Sequence, residues 1–273
     1  MASLSPLADC GWGVVRLGAM KAILTALLAV CFSLPLVADE KKAFESTKAK
    51  ALGGDAKAQL NLGLAYANGD GVPRDDKEAV KWIRKAAEQG LAEAQYALGV
   101  MYGIGRGVLK DDSEAAKWYR KAAEQGNVRA QSNLGVMYAS GEGVPEDKKE
   151  AVKWFRKAAE QGLAEAQYAL GAMYRNGAGV PTDNKEAVKW FRKAAEQGDA
   201  LAQWNLGFMY RYGIGVLEDS VTAYAWYNIA AANGEQLAKS NKAELAKMMT
   251  PEQIAKGQEL SREMVEKNAK LLN

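Results

Sequence analysis

The side chains with chemical potential in this chain are carboxylates, glycine-rich turns and tryptophans; histidine is absent. That removes every imidazole base and every histidine-ligated metal site. The only cysteines, Cys10 and Cys31, sit near the amino terminus. A chain that has shed that segment has no thiol, no disulfide and no thiolate metal site. The acidic pairs Asp75-Asp76, Asp111-Asp112 and Glu146-Asp147 are of the type used for paired-carboxylate catalysis or Ca²⁺ binding. They recur at one place in a longer pattern, where an acid caps a helix. Gly103-Ile104-Gly105-Arg106-Gly107 has the look of a phosphate cradle. It follows a helical stretch rather than a strand, and so reads as an interhelical turn needing positive φ. Tryptophans can stack on sugar rings, but five of the seven share one repeat position, which reads as packing between helices. No Ser-x-x-Lys, Gly-x-Ser-x-Gly or P-loop spacing occurs. The inventory names no catalytic residue, no metal ligand and no cofactor; a carboxylate-type hydrolase is the enzyme left open.

The elements that carry these residues repeat. Gln-Gly occurs at Gln89, Gln125, Gln161 and Gln197, 36 residues apart, and Asn233-Gly234 continues the spacing. Ala-Gln falls at Ala58, Ala94, Ala130, Ala166 and Ala202, and Trp at Trp82, Trp118, Trp154, Trp190 and Trp226. A period of this size means stacked supersecondary units. Each unit predicts two helices. Ala94, Leu98, Met101 and Tyr102 form one buried stripe; Ala115, Tyr119, Ala122 and Ala123 form another. Asp75, Asp111, Asp147, Asp183 and Asp219 predict the N-caps of the second helices, and Glu78, Glu114, Glu150 and Glu186 predict reciprocal capping boxes. The glycines Gly90, Gly126, Gly162 and Gly198 predict the stops.

Composition agrees with a globular chain: 273 residues, 48% hydrophobic, 25% charged, net charge +3. That balance gives no electrostatic case for nucleic acid or a membrane surface, and the lysines alternate with glutamates. Residues 20–38 have the layout of a secretory signal peptide: Met20-Lys21, the uncharged run Ala22–Leu34, Pro35, then Leu36-Val37-Ala38 before charge begins. The expectation is a leader over residues 1–38 with a biological start at Met20 and cleavage after Ala38. The run is short for a spanning helix, so no membrane span is expected in the mature chain. Leu28-Ala29-Val30-Cys31 resembles a lipobox, but Val30 stands where a small residue belongs, which speaks against acylation of Cys31. Residues 39–54 predict an N-terminal capping helix. Residues 235–273 predict capping helices, the last starting at Thr250-Pro251-Glu252-Gln253 and running to about Leu271.

The pattern Ala-x-x-x-Leu-Gly-x-x-Tyr, Gly-x-Gly-Val, Ala-x-x-Trp, Ala-Ala-x-x-Gly, over residues 55–234, resembles the Sel-one-like repeat, a relative of the tetratricopeptide repeat. The resemblance implies an all-α, right-handed α-solenoid of five stacked antiparallel helix pairs. Leu109 and Leu217 depart from the pattern where Pro73, Pro145 and Pro181 close the loop, and Tyr224-Ala225 replaces the usual Val-Lys. Members of the family serve envelope assembly, signalling control or secretion complexes. Some cysteine-rich members are linked to β-lactam or peptidoglycan binding; this chain lacks their cysteines once the leader is gone.

Comparing the five units separates positions forced by packing from positions free to vary. One row reads Leu60, Tyr96, Ser132, Tyr168, Trp204; a second Leu64, Val100, Val136, Ala172, Phe208; a third Ala67, Gly103, Ala139, Arg175, Arg211; a fourth Asn68, Ile104, Ser140, Asn176, Tyr212. Their spacing puts them on one face of the first helices, which in tetratricopeptide-like proteins lines a concave groove. Tyr96, Tyr168, Arg175, Trp204, Phe208, Arg211 and Tyr212 are the candidate partner-binding residues, since aromatics and arginine anchor interfaces. The alternative is that some of the later ones pack under the terminal helices as an internal lid. The expected function is a non-enzymatic protein-interaction scaffold of the bacterial periplasm or envelope, or a secreted one, taking an acidic or amphipathic peptide segment; a peptidoglycan- or polysaccharide-binding protein is the alternative.

Overall fold

A computed structural model describes residues 34–272. Cys10, Met20, Cys31 and most of the expected leader lie outside the described residues. Helix α1 (Leu34–Leu52) comes first. Five helix pairs follow: α2 (Ala56–Asn68) with α3 (Asp76–Glu88), α4 (Ala92–Ile104) with α5 (Asp112–Glu124), α6 (Val128–Ser140) with α7 (Lys148–Glu160), α8 (Ala164–Asn176) with α9 (Asn184–Ala195), and α10 (Ala200–Tyr212) with α11 (Ser220–Ala232). Helices α12 (Gln236–Ala246) and α13 (Pro251–Lys267) and a 3₁₀ turn (Ala269–Leu271) close the chain. Among the described residues there is no strand, and no helix is long and apolar enough to cross a membrane.

Local chemistry fixes the helix ends. First helices stop at Gly69, Gly105, Gly141, Gly177 and Gly213, all left-handed. The stretch Gly103–Gly107 is thus a helix end and turn, with Gly105 and Gly107 at positive φ and Gly103 still helical. Second helices start on the five predicted aspartates, each accepting from a backbone N–H two or three residues on. The reciprocal half of the predicted capping box is absent. Each capping Asp already donates its own N–H to the repeat tyrosine's carbonyl, as from Asp75 to Tyr66 at 2.9 Å and Asp111 to Tyr102 at 3.0 Å. With no donor left to accept from, Glu78, Glu114, Glu150 and Glu186 pair instead with the lysine three residues on. Such exposed pairs contribute only a few tenths of a kcal/mol each.

The core straddles the unit boundaries. The second helix of one unit packs on the first helix of the next, and the latter unit's tryptophan closes the cluster: Ile83, Ala87, Leu98 and Met101 with Trp118, for example. Trp154 and Trp190 repeat this one and two units on. The tryptophans are therefore buried fasteners between units, each of the first four lidded by a lysine, such as Lys121 Nζ at 4.2 Å from the Trp118 ring. Arginines staple the same junctions: Arg84, Arg120, Arg156 and Arg192 each donate to the tyrosine hydroxyl of the following unit.

A polar ladder runs through this core. Gln59, Gln95, Gln131, Gln167 and Gln203 are buried. Each donates to a carbonyl eight residues back and accepts from the Gln-Gly glutamine, or Asn233, thirty residues on. A buried amide is tolerated only when so satisfied.

The ends depart from the repeat in ways that match their covers. Helix α1 stands where a second helix of a preceding unit would stand, with Ala51 O accepting from Gln59 Nε2 at 3.2 Å and Phe44 and Ala51 buried against Leu62 and Trp82. The expected cleavage point after Ala38 falls inside this helix and leaves both docking residues on the mature side. At the other end α13 lies against α11, where Tyr224 meets Gly257. Asn228 replaces the stapling arginine and is bonded by Ser261 and Lys242. Ile229 replaces the lid lysine and joins Trp226 and Leu271 in one cluster. Thr250 and Gln253 form the predicted capping box. Helix α13 ends at Lys267, earlier than the sequence predicts, because Asn268 Nδ2 bonds to Glu196 O at 2.8 Å and turns the chain inward. Leu271 is then buried and its carbonyl accepts from Gln203 Nε2 at 2.9 Å and Asn233 Nδ2 at 2.6 Å, closing the ladder.

Candidate functional site

The variable rows lie on the first helices and divide into anchored and open residues. Tyr96 on α4 tilts against Tyr119, with ring centroids 5.8 Å apart, and Tyr168 on α8 does the same against Phe191 at 5.8 Å. Burial pushes the Tyr96 phenol above its ordinary range. Both are half-buried walls rather than free anchors. Arg175 donates through Nη1 to Asn205 Oδ1 and through Nε to Asn176 Oδ1 at 3.3 Å. Asn205 is buried, its own amide donating to Leu201 O at 2.8 Å. It plays a part the sequence reasoning missed; the visible signal is that Asn61, Asn133, Asn205 and Asn241 share one repeat position.

On α10, Trp204, Phe208 and Tyr212 form a continuous aromatic stripe, with ring centroids 6.2 Å and then 4.7 Å apart. Part of it is anchored to α12: Trp204 Nε1 donates to Asn241 Oδ1 at 2.7 Å. Arg211 has its guanidinium carbon 5.1 Å from the Tyr212 ring centre and lies 3.6 Å from the Glu244 carboxylate, and its side chain is only 12% exposed. The arginine's charge is thereby met within the chain. Tyr212 stays open, 51% exposed, with Met248 of the α12 end 76% exposed in the same region beside Arg211.

One titratable group at the other end of α10 is strongly perturbed. Asp199 caps α10, accepting from Ala202 N at 2.7 Å. Burial pushes its carboxyl up to about 6; the bond from Ala202 pulls the other way and nearby Glu165 adds to the rise. The folded chain thus holds this proton more tightly than the unfolded one. The stabilisation is complete below the ordinary Asp range and is lost as pH rises through about 6. Asn127 caps α6 with the same geometry, at 2.9 Å from Ala130 N, so Asp199→Asn keeps the cap and sheds the charge. The variant is expected to gain about 1–2 kcal/mol at about pH 7.5, and that advantage is expected to shrink as pH falls below about 6 and to vanish below about pH 3.5, read from urea midpoints.

No arrangement for catalysis emerges. Among the described residues no three His, Cys, Asp or Glu side chains cluster as metal ligands would. Asp75 and Asp111 are caps, and Asp76 and Asp112 are paired with Arg74, Arg106 and Lys110. The pair of arginines holds the Asp76 carboxyl below its ordinary range, the Arg74 bond contributing most.

The fold defines a helical-repeat solenoid whose exposed first-helix face differs from unit to unit. A profile of the Sel1 repeat matches residues 56–91, 92–127, 128–163, 164–199 and 200–235, and the chain belongs to the Sel1 repeat family. A Sel1 repeat protein from Oxalobacter formigenes is 41% identical over 75% of this chain and 59% of its own, with a TM-score of 0.66. A protective antigen of uropathogenic Escherichia coli with an SLR fold is 34% identical over 84% of this chain and 57% of its own, with a TM-score of 0.57. The chain thus spans less than three fifths of the length of either. Among curated proteins none matches at a significant level. Proteins built from this repeat generally act as protein–protein interaction scaffolds, and the fold is typically non-enzymatic.

Proposed function

We propose that this chain is a non-enzymatic scaffold of the bacterial periplasm or cell envelope that holds a peptide segment of a protein partner in the concave groove lined by its first helices. The carrying observation is the aromatic stripe of α10, in which Phe208 and the half-open Tyr212 stand preformed on a rigid, fully capped helix. Preorganised aromatic anchors lower the ordering cost of binding. The groove rows vary between units while the packing rows recur, and the Ala22–Leu34 run before Ala38 supports export. An acidic partner residue has Arg175 to meet, since Arg211 is already held by Glu244. A glycan ligand loses its main support, because the repeat tryptophans are buried between units.

The test avoids the anchored residues. Trp204→Ala would break the bond to Asn241, and Tyr168→Ala would open the packing on Phe191, so both confuse binding with folding. A Phe208→Ala/Tyr212→Ala variant is the cleaner probe beside the wild-type chain in affinity capture from an envelope extract. The reading expects a partner lost from the variant, by about 30-fold or more for a true anchor pair, with helicity retained. An identical set of captured proteins on both baits would overturn it.

A further inference from the structure

The near-neutral chain is strongly polarised by its fold. The loops joining first to second helices, residues 69–76, 105–112, 141–148, 177–184 and 213–220, line one edge of the array. They carry eleven carboxylates against four cations, a net charge of −7. The backs of the second helices, residues 77–88, 113–124, 149–160 and 185–196, carry fifteen cations against eight carboxylates, a net charge of +7. Arg84 and its equivalents bond to tyrosine hydroxyls, and Lys85 and its equivalents lie over tryptophans. Neither set makes an ion pair among the described residues, so their charge stays available at the surface.

Two apolar knobs interrupt the acidic edge. Leu109 and Leu217 are 90% and 89% exposed. They occupy one loop position in the second and fifth units, where the other three hold Pro73, Pro145 and Pro181. Proline presets such a loop by restricting the unfolded chain. Leucine gives that up and presents an apolar side chain to water instead. The backs offer a seat for one such side chain: a shallow hollow between α5 and the next unit's loop, where Ala116, Trp118 and Val144 are flanked by Lys117 and Lys121 as well as by Glu114 and Glu124.

We infer that a second copy of this chain is the occupant: the acidic, leucine-bearing edge of one molecule docks on the basic second-helix back of another. Edge and back share the same repeat spacing: the loops of the first, third, fourth and fifth units are net acidic, the second being neutral, and the second helices of the first four units are net basic, so opposite charges recur at one interval on both surfaces. Complementary potentials of this kind steer association and fix register. The contact joins two different patches of the molecule, so it builds closed rings or open chains according to the rotation it sets between copies. It leaves the first-helix face free and is independent of the peptide-binding reading.

Sedimentation velocity of the full chain tests this across a concentration series. At about 20 mM salt the weight-average mass is expected to at least double, by roughly 100 µM protein, and to return to the monomer value at about 500 mM salt as the charges are screened. Leu109→Asp/Leu217→Asp and, separately, Lys157→Glu/Lys193→Glu are each expected to keep the chain monomeric at low salt, with unchanged helicity. A wild-type chain that stays monomeric at low salt overturns the proposal, as does association that neither variant weakens.

Discussion

Replacing Gly179 with alanine is expected to lower stability by about 3–5 kcal/mol and to split one unfolding transition into two. Gly179 has φ +74°, and an added Cβ would overlap the backbone carbonyl of Lys148 in the preceding unit. Gly107, Gly143 and Gly215 face Asp76, Asp112 and Asn184 in the same way. A backbone atom cannot rotate away, so the clash is relieved only by separating α7 from the loop between α8 and α9. Repeat arrays gain stability from nearest-neighbour interfaces, and this one would uncouple the first three units from the last two. Gly162→Ala supplies the control. It shares the positive φ, +93°, but nothing lies within 4 Å of its added Cβ, so only the conformational penalty of about 1–2 kcal/mol applies. Urea unfolding followed by circular dichroism distinguishes them; equal losses in the two variants would show that the close approach to Lys148 is not what ties these units together.

Gln131→Glu is expected to cost about 3–4 kcal/mol at about pH 7.5 and much less near about pH 5. The change keeps the shape of the side chain. Its Nε2 donates to Ala123 O at 3.0 Å, and its Oε1 accepts from Gln161 Nε2 at 2.7 Å. A carboxylate still accepts from Gln161 but sets a buried negative charge against the Ala123 carbonyl. Protonation restores a donor there, so the folded-state pKa rises and stability returns as pH falls through it. Urea midpoints of wild type and variant at each pH give the difference directly. A loss that does not change with pH would mean that the ladder is wet rather than buried.

The units and their ends are legible in the sequence because they rest on local rules. A recurring Asp before an apolar period caps a helix, and a recurring glycine after one stops it, whatever lies beyond. The glutamates of the expected capping boxes show where local rules run out. Whether Glu78 can reach the N–H of Asp75 depends on whether that N–H is already taken, and it is, by Tyr66 of the preceding helix. The glutamine ladder is visible as spacing but not as function, since Gln59 and Gln89 meet only once neighbouring helices are stacked. The candidate groove divides for the same reason. Tyr212 stays open and Phe208 half-buried on their own helix, whereas Arg211 is met by Glu244 of α12, a helix outside the five matched repeats. The changes at Asn228 and Ile229, by contrast, were a readable signal that the last unit's outer face is covered, because they remove two cations that every other unit keeps.

The groove claim is tested most directly with a defined ligand. A peptide selected on the full chain from a random library, titrated calorimetrically against wild type and against Tyr212→Ala, reads the aromatic stripe without a cellular extract. Tyr212 is half exposed, so its removal is expected to leave thermal unfolding nearly unchanged while weakening the peptide by at least about tenfold. Equal affinity for the two proteins would contradict a binding site on the α10 stripe.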